Sequence, residues 1–146
     1  MTPAVPTRCT RRTLVAGLVG LGFALSPRDA FAGTYLDQIG VLVREAKSEM
    51  DYLENRLNDK DLAELIHAMT IARVAAARDM LVPKEVAEAH PHMLLMLENC
   101  ERAADAAVVK ATDKFIVYQH RSRDEEQIFR SIMRQLGFPL EDEKKK

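Results

Sequence analysis

The chain has 146 residues, of which 47% are hydrophobic and 29% are charged. This is enough for one domain with a buried core, and six Gly and six Pro are too few for a disordered chain. A net charge of −1 provides no basic surface for nucleic acid, so we expect no nucleic-acid partner. Two cysteines cannot build a disulfide scaffold.

The N-terminal segment has the three parts of an export signal. Arg8, Arg11 and Arg12 make a basic start without any acidic residue, and an apolar run follows at 13–25. That run is too short to form a stable membrane-spanning helix. The small residues around Phe31 then predict cleavage after Ala32. We therefore expect the first 32 residues to be a signal peptide and the mature chain to have no stable membrane span.

The details of this segment match one export pathway. Thr10-Arg11-Arg12-Thr13-Leu14 resembles the Ser-Arg-Arg-x-Phe/Leu pattern of twin-arginine signals, with Thr in the place of Ser. Arg28, close to the cleavage site, is also typical of that pathway. The resemblance covers residues 8–32 and implies that the protein is periplasmic or otherwise exported, with an ordinary secretory signal as the alternative.

The sequence pattern of the rest of the chain is helical, because apolar residues recur every three or four positions and the alternation typical of strands is missing. We predict an all-α, antiparallel, up-down-up-down four-helix bundle over 33–137 and a flexible charged tail over 138–146. The expected core stripes are, in helix 1, Leu36, Ile39, Val43, Ala46, Met50, Leu53 and Leu57; in helix 2, Leu62, Leu65, Met69, Ala72, Ala76 and Met80; and in helix 3, Met93, Leu97, Cys100, Ala104, Ala107 and Ala111.

Local residues predict several helix ends. Thr34 is the expected N-cap of helix 1 and Asp59 that of helix 2. Helix 3 starts at either Pro83 or Pro91, since Pro is accepted in a first turn. Gly137 is the expected residue just beyond the end of helix 4.

Helix 4 breaks the pattern in its middle. The segment 119–127 (QHRSRDEEQ) has no apolar residue, so Ser122 and either Glu125 or Glu126 fall where the core should be. A buried carboxylate needs a partner, because its desolvation otherwise costs several kcal/mol. In one interpretation these residues face a polar pocket with Arg73 of helix 2; in the other, helix 4 bends away or is simply hydrated there.

A second candidate site contains soft metal ligands. Thioethers, thiolate and imidazoles suit copper, and an exported protein can meet that metal. The alternative is that the methionines fill the core, as Met often does. The candidate ligands are Met50, Met69, Met93, Met96, Cys100, His90 and His92.

No phosphate-binding loop, nucleophile elbow or metalloprotease signature is present in the sequence, so we expect no enzymatic activity. We expect an exported helical-bundle binding or interaction protein without a cofactor. Its partner would be an unknown protein, or it would self-associate through a surface stripe of Val41, Leu42, Val74 and Val109. The alternative is a periplasmic bundle that binds copper or another cofactor.

Overall fold

A computed structural model describes residues 27–140 and confirms the all-α antiparallel four-helix bundle. The predicted signal peptide up to residue 26 and the last part of the predicted tail, 141–146, lie outside the described residues. The helices are α1 (Pro27–Glu54), α2 (Lys60–Arg78), α3 (His90–Val108) and α4 (Thr112–Gln135), with a short 3₁₀ helix at Lys84–Val86.

The stripe predicted for α1 is confirmed. Its central residues are buried, and Tyr35 adds an aromatic ring to them near the N-terminal end. The prediction that Thr34 caps this helix is wrong, because α1 begins at Pro27 and continues through Ala32 and Thr34. Gly33 is the one residue between Pro27 and Thr34 that disfavours a helix, at a cost of about 1 kcal/mol that does not end it, and Pro itself suits a first turn. The buried residues are Tyr35, Ile39, Val43, Ala46, Met50 and Leu53.

The stripe predicted for α2 is wrong, although its N-cap is confirmed. The Asp59 carboxylate accepts a hydrogen bond from the Leu62 amide at 3.0 Å. Leu65 and Met69 are exposed, as are Ala72 and Ala76. A neighbouring set of mostly smaller residues faces the core instead, and α2 therefore has two apolar stripes. The buried set is Ala63, Ile66, Thr70, Arg73, Val74 and Ala77.

The connection to α3 shows which of the two prolines begins that helix. Pro83 precedes the 3₁₀ helix, whereas Pro91 lies in the first turn of α3. The predicted inner stripe of α3 is confirmed, with Met96 buried beside it and Ala111 half-buried beyond the helix end. Its buried members are Met93, Leu97, Cys100, Ala104 and Ala107.

Both of the last two helices end in a left-handed residue. Gly137 follows α4 with φ +86°, as predicted, and the Phe138 amide donates to the Met133 carbonyl at 2.8 Å. Lys110 follows α3 with φ +59°, an unusual conformation for a residue with a Cβ. Leu140 is buried, so residues 138–140 pack on the bundle and do not belong to the predicted flexible tail.

The four helices are not equivalent in their packing. The closest packing is between α3 and α4 and between α2 and α3, while α1 packs less extensively on α2 and α3. Polar side chains join α1 to α4. Within the part of the chain that the structure describes, no helix combines the length and the apolar character needed to cross a membrane.

Candidate functional site

The polar residues of α4 do face the interior of the bundle. Ser122 and Glu126 expose only 5% and 6% of their surface, and Glu125 is half-buried. The expected register of α4 is therefore correct, and the helix does not bend away from the core at this point.

Each buried polar group of α4 has a partner nearby. The Ser122 hydroxyl lies 3.1 Å from the Cys100 sulfur of α3. The Glu126 carboxylate accepts a hydrogen bond from Nε of Arg130, one turn further along α4, at 2.7 Å, and the Lys47 ammonium lies 3.8 Å away. The buried carboxylate is thus compensated by two cations, as burial of a charge requires.

Arg73, which one interpretation places in a polar pocket with Glu125 or Glu126, forms its ion pair with α1. Both terminal guanidinium nitrogens of Arg73 donate to the Glu49 carboxylate of α1, each at 2.7 Å, and Glu45 lies 3.8 Å away. Arg73 reaches α1 because two successive turns of that helix present the carboxylates of Glu45 and Glu49 toward α2. This buried, bidentate ion pair links α1 to α2, whose apolar packing is limited.

An ionic interface explains why 119–127 lacks apolar residues. The Gln119 amide donates to the Glu54 carboxylate of α1 at 2.9 Å. Arg123 donates to Glu54 at 3.0 Å and to Asp51 at 3.3 Å. This part of α4 meets α1 through charges and amides, so its polar sequence is consistent with the fold and needs no ligand to explain it.

Three of the predicted soft ligands meet in the same region. Met50, Met96 and Cys100 line a small cavity together with Ser122 and Glu126. Its volume of about 10 Å³ is close to that needed by one water molecule. Burial raises the pKa of the Cys100 thiol to about 11, against the opposing effects of the Ser122 hydrogen bond and of a nearby arginine, so the thiol is protonated at neutral pH.

The other candidate ligands lie elsewhere. Met69 is 40% exposed on α2, and Met93 is buried in the core without lining this cavity. Of the candidate methionines, Met69 therefore does not join Met50 and Met96 at the cavity. Among the described residues, no group of three or more His, Cys, Asp or Glu side chains is placed to hold a metal ion.

The two histidines that flank Pro91 have different partners. Nδ1 of His90 lies 2.8 Å from the Tyr35 hydroxyl, and Nδ1 of His92 lies 2.7 Å from the Glu125 carboxylate. Burial raises the pKa of Tyr35 to about 12 and lowers that of His90, although a hydrogen bond to the Ala77 carbonyl opposes the second shift.

It follows that both buried groups are neutral at pH 7. The Tyr35 hydroxyl then donates to Nδ1 of the His90 ring, and the ring donates to Ala77. This contact ties the start of α1 to the junction of α2 and α3. His90 therefore has a structural role in the observed conformation, and it does not converge with His92 on one site.

Within the described part of the chain, the outer side of α2 is an extended apolar surface. Leu65, Met69 and Ile71 are 58%, 40% and 48% exposed, and small alanines lie between them. From Leu65 to Ala77 the only charged residue is Arg73, which is buried. We call this surface the α2 face; its residues are Leu65, Ala68, Met69, Ile71, Ala72, Ala75 and Ala76, all of them exposed.

An open groove between α1 and α2 continues this face. Val41 and Leu42 of α1 line the groove with Ala76 and Met80 of α2, and it encloses about 530 Å³. Two residues of the surface stripe expected from the sequence, Val41 and Leu42, thus lie together in this groove. Val74 is buried at 2%, and Val109 is exposed at the end of α3.

The sequence contained a signal for the α2 face, namely thirteen consecutive residues with a single charge. Periodicity predicts a core stripe there, because it cannot distinguish an apolar stripe that is buried within the chain from one that stays exposed. Comparison of the chain with protein-family models, with curated proteins and with solved structures gave no match in any of the three.

Proposed function

We propose that this is an exported helical-bundle interaction protein, and that the α2 face with its adjoining groove is its binding surface. The observation that carries the proposal is the α2 face itself. In a chain with 29% charged residues, a solvent-facing helix side without a charge over thirteen positions is a continuous apolar patch. Patches of this kind mark interaction sites more often than single exposed apolar residues do.

The energetics favour a partner that covers this surface. Full burial of a Leu, Ile or Met side chain is worth about 1.5–3 kcal/mol. Leu65, Met69 and Ile71 are about half exposed, so covering them would contribute roughly 1 kcal/mol each. The alanines between them would let a partner helix approach closely, and the groove beside Val41 would accept a protruding side chain.

Site-specific photo-crosslinking in the producing cell tests the proposal. A benzoylphenylalanine at Leu65 should give a crosslinked adduct on illumination. The matched control is the same label at Val117 of α4, which is 47% exposed among charged neighbours and should give none. Absence of an adduct at Leu65, or equal labelling at both positions, would contradict the proposed surface.

The export part of the proposal is supported by residues 8–32. Replacing Arg11 and Arg12 by lysine should leave the precursor inside the cell, whereas Arg8→Lys should not, because only the paired arginines match the twin-arginine pattern. Cell fractionation and N-terminal sequencing are the measurements, and we expect a mature protein that begins at Gly33. Normal export of the double variant would instead favour an ordinary secretory signal.

One observation favours the second candidate function, a Cu(I)-binding bundle. Two thioethers and a thiol, those of Met50, Met96 and Cys100, border the same small cavity. Soft sulfur ligands of this kind suit Cu(I). Because the pKa of the thiol is raised to about 11, copper binding would release its proton, and the apparent affinity should rise about tenfold per pH unit.

Anaerobic competition against a Cu(I) chelator tests this second candidate. The mature protein should retain one Cu(I), and Met96→Leu and Cys100→Ser should each lower its affinity. Met69→Leu is the matched control, since Met69 is exposed and distant from the cavity lining. Failure of the native protein to retain copper, or equal loss in the control, would exclude the site.

A further inference from the structure

We propose that the partner of the α2 face is the same face of a second copy, packed antiparallel about a two-fold axis. This inference rests on the proposed function, because it takes the α2 face as the binding surface. It adds the identity of the partner and the orientation of the two helices. Three properties of α2 carry it: the spacing of its exposed residues, the distribution of large and small side chains, and the charges at its ends.

The exposed residues have coiled-coil spacing. Leu65, Met69, Ala72 and Ala76 follow one another at steps of four, three and four. This spacing forms a stripe suited to a partner helix that lies nearly along α2. Within the described part of the chain no helix covers that stripe, since all four residues are exposed. The required partner is therefore a helix outside the described bundle.

The distribution of side-chain sizes makes the stripe complementary to itself in one orientation. The large residues, Leu65 and Met69, lie in the N-terminal part, and the small ones, Ala72 and Ala76, lie in the C-terminal part. In an antiparallel pair, Leu65 would pack over Ala76 of the second copy, and Met69 over its Ala72. A parallel pair would set large against large and small against small, which leaves gaps at one end.

The charges at the ends of α2 favour the same orientation. Asp61 and Glu64 precede the apolar stretch, and Arg78 and Asp79 follow it. Antiparallel packing places Glu64 near Arg78 of the second copy, although it also places Asp61 near Asp79; parallel packing places only like charges together. In the monomer Glu64 pairs with the exposed Lys60 at 3.2 Å, and Arg78 pairs with the half-buried Glu98 at 2.7 Å. Glu64 and Arg78 are themselves exposed, so both can also interact across an interface.

The length of the helix suits a symmetric dimer. Nineteen residues give α2 a length of about 28 Å. A two-fold axis near residues 70–71 would let the full apolar stretch of each copy contact the other. At the ends of the pair, the groove beside Leu42 and Met80 would receive residues from the start of the second α2.

The first test is the mass of the mature protein in solution, measured by light scattering after size exclusion at concentrations up to about 100 μM, well above a micromolar Kd. We expect twice the chain mass. Leu65→Glu and Ala72→Glu should each give a folded monomer, because both positions are exposed. The matched control Val117→Glu, at a similarly exposed apolar position of α4, should remain a dimer.

Cysteine crosslinking tests the orientation. Ala72→Cys lies near the proposed axis and should form a disulfide with its own copy on mild oxidation. Leu65→Cys should not, because its two copies would be about 16 Å apart along the helix axis. The double variant Leu65→Cys with Ala76→Cys should crosslink again. Cys100 is buried, so it does not compete.

The outcomes separate this inference from the proposed function. A monomer at every concentration, or self-crosslinking of Leu65→Cys, would overturn the antiparallel dimer. If the protein is monomeric but a photo-label at Leu65 captures a different protein in the cell, the dimer fails and the proposed function survives. If the protein is monomeric and the label captures nothing, both fail.

Discussion

Loss of the buried Arg73–Glu49 ion pair should destabilise the fold, and the two ends of the pair should not be equivalent. Arg73→Met leaves the Glu49 carboxylate, which is 18% exposed, without its bidentate partner. Breaking a fully buried pair costs about 3–5 kcal/mol; because Glu49 keeps some contact with water, we expect about 2–3 kcal/mol. Glu49→Gln should cost only about 1–2 kcal/mol, since Glu45 at 3.8 Å remains near the guanidinium.

Urea unfolding followed by far-UV circular dichroism gives the free energy of unfolding of each variant. The double variant Arg73→Met with Glu49→Gln should cost less than the sum of the two single changes, with a coupling of about 1–2 kcal/mol. The control is Arg78→Met, which removes a pair of the same 2.7 Å length on the surface and should change stability little. A coupling below about 0.5 kcal/mol, or a larger cost for Glu49→Gln than for Arg73→Met, would refute this reasoning.

Three further predictions concern single residues. Lys110→Gly should raise the free energy of unfolding by about 1 kcal/mol, because φ is +59° there, while Lys110→Ala keeps the strain and should not. Burial lowers the pKa of His90, so its stabilising contribution is complete above the unfolded-state pKa near 6.5 and is lost as pH falls through the folded-state value. The free energy of unfolding of His90→Gln should therefore fall less steeply from about pH 7.5 to 5.5 than that of the native protein. An unchanged slope of this free energy against pH would contradict the prediction. Cys100, buried and with its pKa raised to about 11, should react with a thiol reagent only in urea, and rapid labelling of the folded protein would show that the cavity opens.

The helical class and most helix faces could be read from the sequence. In α1, α3 and α4 periodicity identified the buried side, including the inward register of Ser122 and Glu126, although some apolar residues outside the stripe, such as Ile116 and Ile128 of α4, are exposed. Local chemistry likewise predicted the Asp59 cap and the left-handed Gly137. These features depend on interactions within one or two helix turns, and for that reason they can be predicted from residues close together in the sequence.

The tertiary structure decided which stripe of α2 is buried and which partner each polar side chain takes. Helix α2 carries apolar residues on two of its sides, so periodicity fits both stripes. Only packing against α3 selects the stripe that contains Ala63 and Ala77 as the buried one. In the same way, Arg73 reaches α1 because of how the helices are arranged around it. A helical pattern determines which side of a helix is apolar, whereas the neighbour that covers that side is set by contacts between residues far apart in the chain.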